Sequence, residues 1–140
     1  YFYKKYPDCC TFDKERVDNL ITRFDRFPTS INKVPLISVD NLINHLSQFK
    51  NLEEIHLLNI DTEGYELDIC KDFFKVGIFP WVICIEELGY TVDNVIKSEV
   101  HKVFEKEDYL LASKTLLTSI YIRKEIFKQL SSPFLKDFQI

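Results

Sequence analysis

Two strand-length apolar runs, each ending abruptly in acid and separated by one helix-length segment, constrain this chain more than anything else in it. Glu54–Ile60 (EIHLLNI) breaks off at Asp61-Thr62-Glu63-Gly64-Tyr65-Glu66, and Trp81–Ile85 (WVICI) breaks off at Glu86-Glu87. Between them, Tyr65–Phe74 places Ile69, Cys70, Phe73 and Phe74 on one side at helical spacing, and Gly77 closes the segment. Strand, helix, strand within about 30 residues is a βαβ unit, with two parallel strands joined by a crossover. The second run is apolar without alternation, which suits a strand buried on both faces. The fold class is therefore α/β.

The flanks extend this frame. Thr11–Phe24 reads as a helix capped by Thr11, with Asp13 and Glu15 at its positive end and Val17, Leu20, Ile21 and Phe24 as its stripe. Val34–Val39 (VPLISV) suits a short edge strand, because Pro35 cannot donate to a ladder. Asp40–Phe49 follows as a second helix, with Val39, Leu42, Ile43 and Leu46 as its stripe. Past the βαβ unit, Asp93–Phe104 reads as a third helix on Val92, Ile96, Val100, Val103 and Phe104. Tyr109–Leu116 and Ser119–Arg123 then form an antiparallel hairpin. Lys124–Ile140 is expected to be a short helix with a loose end.

Composition removes several function classes. At 140 residues the chain suits one domain with one real core. It has only 3 glycines, Gly64, Gly77 and Gly89, where average usage would give roughly ten. No glycine-rich phosphate or dinucleotide loop is therefore encoded. A net charge of −4 argues against a nucleic-acid surface. No apolar run approaches the roughly 18–20 residues of a membrane span. The 4 cysteines, Cys9, Cys10, Cys70 and Cys84, include no C-x-x-C pair. They suit reduced thiols and a cytoplasmic setting better than a disulfide framework or a zinc site.

Chemistry is expected where the acids fall. Ligands of an open α/β sheet bind beyond the carboxyl ends of its parallel strands. If the two strands are neighbours, Asp61, Glu63 and Glu86 gather at one rim, Gly64 makes the sharp turn, and Glu63 or Glu66 sits near a helix N-terminus. Acids at that position also serve as caps or dipole partners, worth about 0.3–1 kcal/mol. The D-x-E spacing alone supplies too few ligands for a hard cation. The histidines are weaker candidates: His45 and His101 lie on predicted helix flanks, and His56 lies early in a strand. Tyr65 and Tyr90 are candidates for an acceptor pocket, but core packing explains them more simply.

The segment HLLNIDTEGYELDICKDF resembles the signature of the FkbM-type S-adenosylmethionine-dependent methyltransferases, with Asp61, Glu63, Gly64 and Glu66 matching residue by residue. PLISVDNLI with Asp40, WVICIEE with Glu86, and TSIYIRK resemble its flanking segments. Asn59 stands where the family usually has lysine, and Thr62 where it has a hydrophobic residue. The resemblance covers Thr11 to Lys124. It implies a class I methyltransferase (Rossmann-like) sheet, here its C-terminal half, with a parallel βαβ unit followed by an antiparallel hairpin. Residues 1–124 would be the C-terminal part of the domain, lacking the cofactor-binding N-terminal part, and 125–140 a tail.

The implied activity is O-methylation of a sugar or other hydroxyl, with S-adenosylmethionine as cofactor and a small molecule or glycan as acceptor. Asp61 and Glu63 are the expected catalytic residues, Glu86 and Asn59 the expected acceptor contacts, and Gly64 and Glu66 the structural turn. No metal, nucleic acid or membrane span is expected. A sheet edge left open by the missing strands would invite self-association. The alternatives are a non-catalytic remnant acting as an interaction module, and a Mg-dependent transferase using Asp61, Glu63 and Glu86.

Overall fold

The computed structural model describes residues 1–48 and 54–135. In chain order the regular elements are α1 (Lys14–Phe24), α2 (Val39–Ser47), β1 (Leu57–Ile60), α3 (Glu66–Lys75), β2 (Val82–Glu86), α4 (Glu99–Lys106), β3 (Tyr109–Lys114), β4 (Thr118–Arg123) and α5 (Lys124–Leu135). The strands form one 4-stranded sheet in the order β1-β2-β4-β3. β1 and β2 are parallel, in register from Leu57↔Val82 to Ile60↔Ile85. β4 runs antiparallel to both β2 and β3, so β1, β2 and β3 share one direction. The architecture is mixed α/β, with one parallel pair made by the β1-α3-β2 unit and the rest antiparallel.

The pleat divides the sheet into unequal faces. Alternate side chains point to opposite sides, and the side carrying Leu58, Ile60, Ile83, Ile85 and Tyr121 holds the core with Cys70 of α3 and Phe104 of α4. Phe104 packs against Tyr121 at 4.4 Å and Tyr109 at 5.4 Å between ring centroids. Fully burying such a side chain contributes about 1.5–3 kcal/mol. The Tyr109 hydroxyl remains satisfied in this apolar setting by donating to the Pro80 carbonyl at 2.6 Å. Burial, then the Glu66 charge, pushes the Cys70 thiol up to about 12. All four cysteines are free, and no helix among the described residues is long and apolar enough to cross a membrane. Leu57, Asn59, Cys84 and Glu86 occupy the opposite pleat positions, with Leu57 60% exposed on the outer strand.

Several local expectations are corrected. Residues 31–38 form no strand: Val34, Leu36 and Ile37 are 51%, 80% and 58% exposed. With Pro35 unable to donate and no ladder to join, a short apolar run has nothing to hold it extended. The helix expected over Asp93–Phe104 is broken at Ser98, which is extended (φ −67, ψ 156) and whose hydroxyl caps α4 by accepting from the His101 N–H. The preceding turn, Val95–Lys97, is 3-10, so Val95 is buried while Ile96 and Val92 face solvent. α1 is capped by Asp13 rather than Thr11, and Phe24 is 63% exposed rather than part of a buried stripe. α2 ends at Ser47; Phe49, the expected end, lies outside the described residues. α5 continues through Ser131-Ser132-Pro133 to Leu135, and its Ile126 is buried. The expected loose end at 136–140 also lies outside the described residues.

Candidate active site

The parallel register brings the acids together. One step beyond Ile60↔Ile85, the chain leaves β1 at Asp61 and β2 ends at Glu86. A carboxylate oxygen from each of Asp61, Glu63 and Glu86 lies within 4.8 Å of the others. Asp61 is exposed, whereas Glu63 and Glu86 are half-buried. This rim is also where the pleat puts Asn59: it is exposed, in register with Cys84, on the side of the sheet away from the core. Asn59 thus lies one pleat period below Asp61.

The turn between β1 and α3 is built by Glu66. Its carboxylate accepts the Thr62 N–H at 2.7 Å, the Gly64 N–H at 3.0 Å and the Thr62 hydroxyl at 3.2 Å. It does so from the first turn of α3, where the helix dipole favours an anion. Glu63 is held at φ +60 and Gly64 at φ +126, left-handed conformations that only glycine adopts without strain. A Cβ on Gly64 would stand 3.2 Å from the Asp13 side chain. The Thr11 hydroxyl donates to the Glu63 carbonyl at 2.6 Å, and Asp13 caps α1 through the Glu15 N–H at 2.8 Å. The N-terminal segment therefore clamps the turn from outside.

That clamp also supplies a charge that the sequence reading missed. The Arg16 guanidinium on α1 pairs with Glu63 and reaches Glu86 at 3.9 Å. One guanidinium thus meets two of the three carboxylates. Glu86 is accordingly pushed above the usual carboxylate value of 4.5, by burial first and the Asp61 charge second, while Arg16 and Lys114 oppose the shift. Arg16 did carry a signal in the sequence: it lies in the first turn of a helix, where the dipole disfavours a cation unless acids from elsewhere meet it. Thr11 and Asp13 carried no such signal, because only the fold brings them to the turn.

Other candidates fall elsewhere. Asp40 is exposed on α2. His56 precedes β1 and stands edge-on to Trp81 at 4.2 Å between centroids. His101 packs on Tyr121, and His45 is exposed on α2. Tyr65 is 41% exposed beside Phe12, near the turn. Tyr90 is half-buried in the loop after β2.

A cavity of about 450 Å³ opens between α1 and the β1–α3 turn, lined by Asp13, Arg16, Asn19, Leu20, Gly64 and Leu88 among others; Arg16 links it to the acids, which do not themselves line it. Its size suits a small molecule. Polar groups at its edge can accept hydroxyl protons through carboxylates and donate through the guanidinium. The glycines, by contrast, make no cradle for a nucleotide-like donor. The Gly64 N–H is taken by Glu66, and a Cβ at Gly77 or Gly89 would meet nothing within 4 Å. The described residues thus do not fit a glycine-cradled cofactor.

A family model described as the methyltransferase FkbM domain matches residues 5–111. No curated protein and no solved structure matches the chain.

Proposed function

We infer the function from one premise: the chain belongs to the FkbM methyltransferase domain family. Membership makes it a methyltransferase domain. Beyond that, we propose an O-methyltransferase that uses S-adenosylmethionine and acts on a hydroxyl of a sugar or similar small molecule. The sheet would be the C-terminal half of a class I, Rossmann-like domain. Residues 1–124 would carry the acceptor side, and the glycine-rich donor pocket would be completed by residues outside these 140.

The observation that carries this reading is the convergence of Asp61, Glu63 and Glu86 at the carboxyl ends of the parallel pair, with Arg16 bridging from them to the cavity it lines. A hydroxyl placed there can surrender its proton to a carboxylate, leaving an oxygen lone pair free to attack. General-base assistance of this kind contributes about 10²–10⁴-fold. Asp61, as the exposed member, is the residue proposed to face the acceptor oxygen. Glu63, paired with Arg16, holds that guanidinium at the cavity wall. Glu86, whose carboxyl burial and the Asp61 charge push above its ordinary value, is suited to holding an acceptor hydroxyl or sharing the released proton. Alignment of acceptor and donor supplies the remaining acceleration. No step assigned to this chain depends on donor contacts.

The test uses the full natural protein with S-adenosylmethionine labelled in its methyl group and a panel of sugars and glycans. Label should appear on an acceptor oxygen, and Asp61→Asn should lower the rate by about 10²–10⁴-fold. Full activity in Asp61→Asn removes Asp61 from the mechanism. Neither donor binding nor transfer by the full protein would favour an interaction module instead. The carboxylate spacing also admits a Mg-dependent transferase, which a chelator would silence and Mg²⁺ restore.

A further inference from the structure

Buried positions alternate along β2: Ile83 and Ile85 face the core, and the next position on that side is Glu87, only 4% exposed. An ionisable carboxyl at a core position is costly unless hydrogen-bonded or neutralised, so its partners bear on its purpose. The Ser119 hydroxyl donates to Glu87 Oε2. The Glu87 N–H donates to the Leu117 carbonyl at 2.7 Å, and the Glu87 carbonyl accepts from Lys114 Nζ at 2.8 Å. Side chain, N–H and carbonyl of one residue thus bind three points of the β3–β4 hairpin. Oε1 has no hydrogen-bond partner among the described residues. Burial, then the Glu87 charge, pushes the Tyr121 phenol up. A leucine here would fill a core position without these costs. The retained carboxyl immediately follows Glu86, where β2 delivers its acid to the rim.

We propose that Glu87 is a positioning residue: by tying the end of β2 to the β3–β4 hairpin through Ser119, Leu117 and Lys114, it fixes the Glu86 carboxyl against Asp61, Glu63 and Arg16. The proposal rests on the reading of Glu86 as an acceptor-site residue, but its test needs no methyl donor. Burial, Asp61, Arg16, Glu66 and Lys114 act on the Glu86 titration. Glu87→Gln removes the neighbouring charge but keeps an acceptor for Ser119, so it separates a direct charge effect on Glu86 from a movement of Glu86.

The experiment is carboxyl-carbon NMR titration of Glu86 in the 140-residue chain and its variants. Glu87→Leu fills the core position and keeps the backbone ties but removes the side-chain tie to Ser119. The Glu86 midpoint should then fall by about half a pH unit or more, as the group gains solvent and leaves Asp61. Glu87→Gln keeps an acceptor for Ser119 and should titrate like the parent. Phe104→Leu, a core change away from the strand end, should leave Glu86 unmoved. If Glu87→Leu does not fold, Ser119→Ala takes its place, with a smaller shift in the same direction. An unmoved Glu86 in the folded variant, equal shifts in Glu87→Gln and Glu87→Leu, or an equal shift in Phe104→Leu overturns the proposal. An inactive protein that gives the expected titrations would overturn the methyltransferase reading and leave this one standing.

Discussion

Replacing Glu66 with alanine should unfasten the turn that presents Asp61 and Glu63. The lost carboxylate serves two backbone amides, Thr62 at 2.7 Å and Gly64 at 3.0 Å, and one hydroxyl at 3.2 Å. Each hydrogen bond to a charged group contributes about 1.5–3 kcal/mol net. Gly64 is exposed and Thr62 half-buried, so water recovers part of this, and Glu66→Ala should cost about 2–4 kcal/mol. In a chain of this size 1 kcal/mol moves Tm by about 3–5 °C, so the loss is roughly 8–15 °C. Glu66→Gln keeps a neutral acceptor oxygen and should lose about half as much. Thermal melting by circular dichroism measures the shift. Amide exchange at Thr62 and Gly64 localises it, with protection lost in the alanine variant and partly kept in the glutamine variant. A Tm within about 2 °C of the parent for Glu66→Ala, or unchanged exchange at those two amides, would refute the assignment of Glu66 as the clasp of the turn.

Gly64→Ala places a side chain at φ +126 and 3.2 Å from Asp13, so it should destabilise by about 1–3 kcal/mol in urea melts, whereas Gly77→Ala, with open space around it, should carry only the conformational strain. Glu86→Gln tests the raised carboxyl. A folded-state value above 4.5 means the native state binds the proton more tightly, so ionised Glu86 subtracts stability as pH rises through that raised value and subtracts none below the unfolded value. The Tm advantage of Glu86→Gln should therefore be small at pH 4 and larger at pH 7; a difference independent of pH would contradict the assignment. On the proposal that the free side of β1 mediates self-association, Leu57→Lys should lower the apparent mass by light scattering, because a charge on an edge strand opposes pairing.

The amino-acid order was enough to place the parallel unit and the acids at its ends. The apolar runs 54–60 and 81–85, which hold most of β1 and β2, the helix between them and the hairpin after them depend on local periodicity, and local periodicity survives into the fold. Because a strand's side chains alternate with period two, the same pattern placed Asp61 and Glu86 level once the strands were parallel. Elsewhere the reading failed where tertiary partners decide. Residues 34–37 are apolar but meet no ladder, and Ser98 breaks a helix that periodicity would continue, because its hydroxyl competes as a cap. Arg16, Thr11 and Asp13 reach the turn from some 50 positions away in sequence. No local rule encodes such contacts. The burial of Glu87 likewise follows from where the β3–β4 hairpin lies, not from its neighbours in the chain. Sequence determined which acids exist and which strands present them; tertiary structure decided which cation answers them, which carboxyl is pushed above its ordinary value, and what ties the strand end in place, since charge pairing and desolvation depend on distance through space.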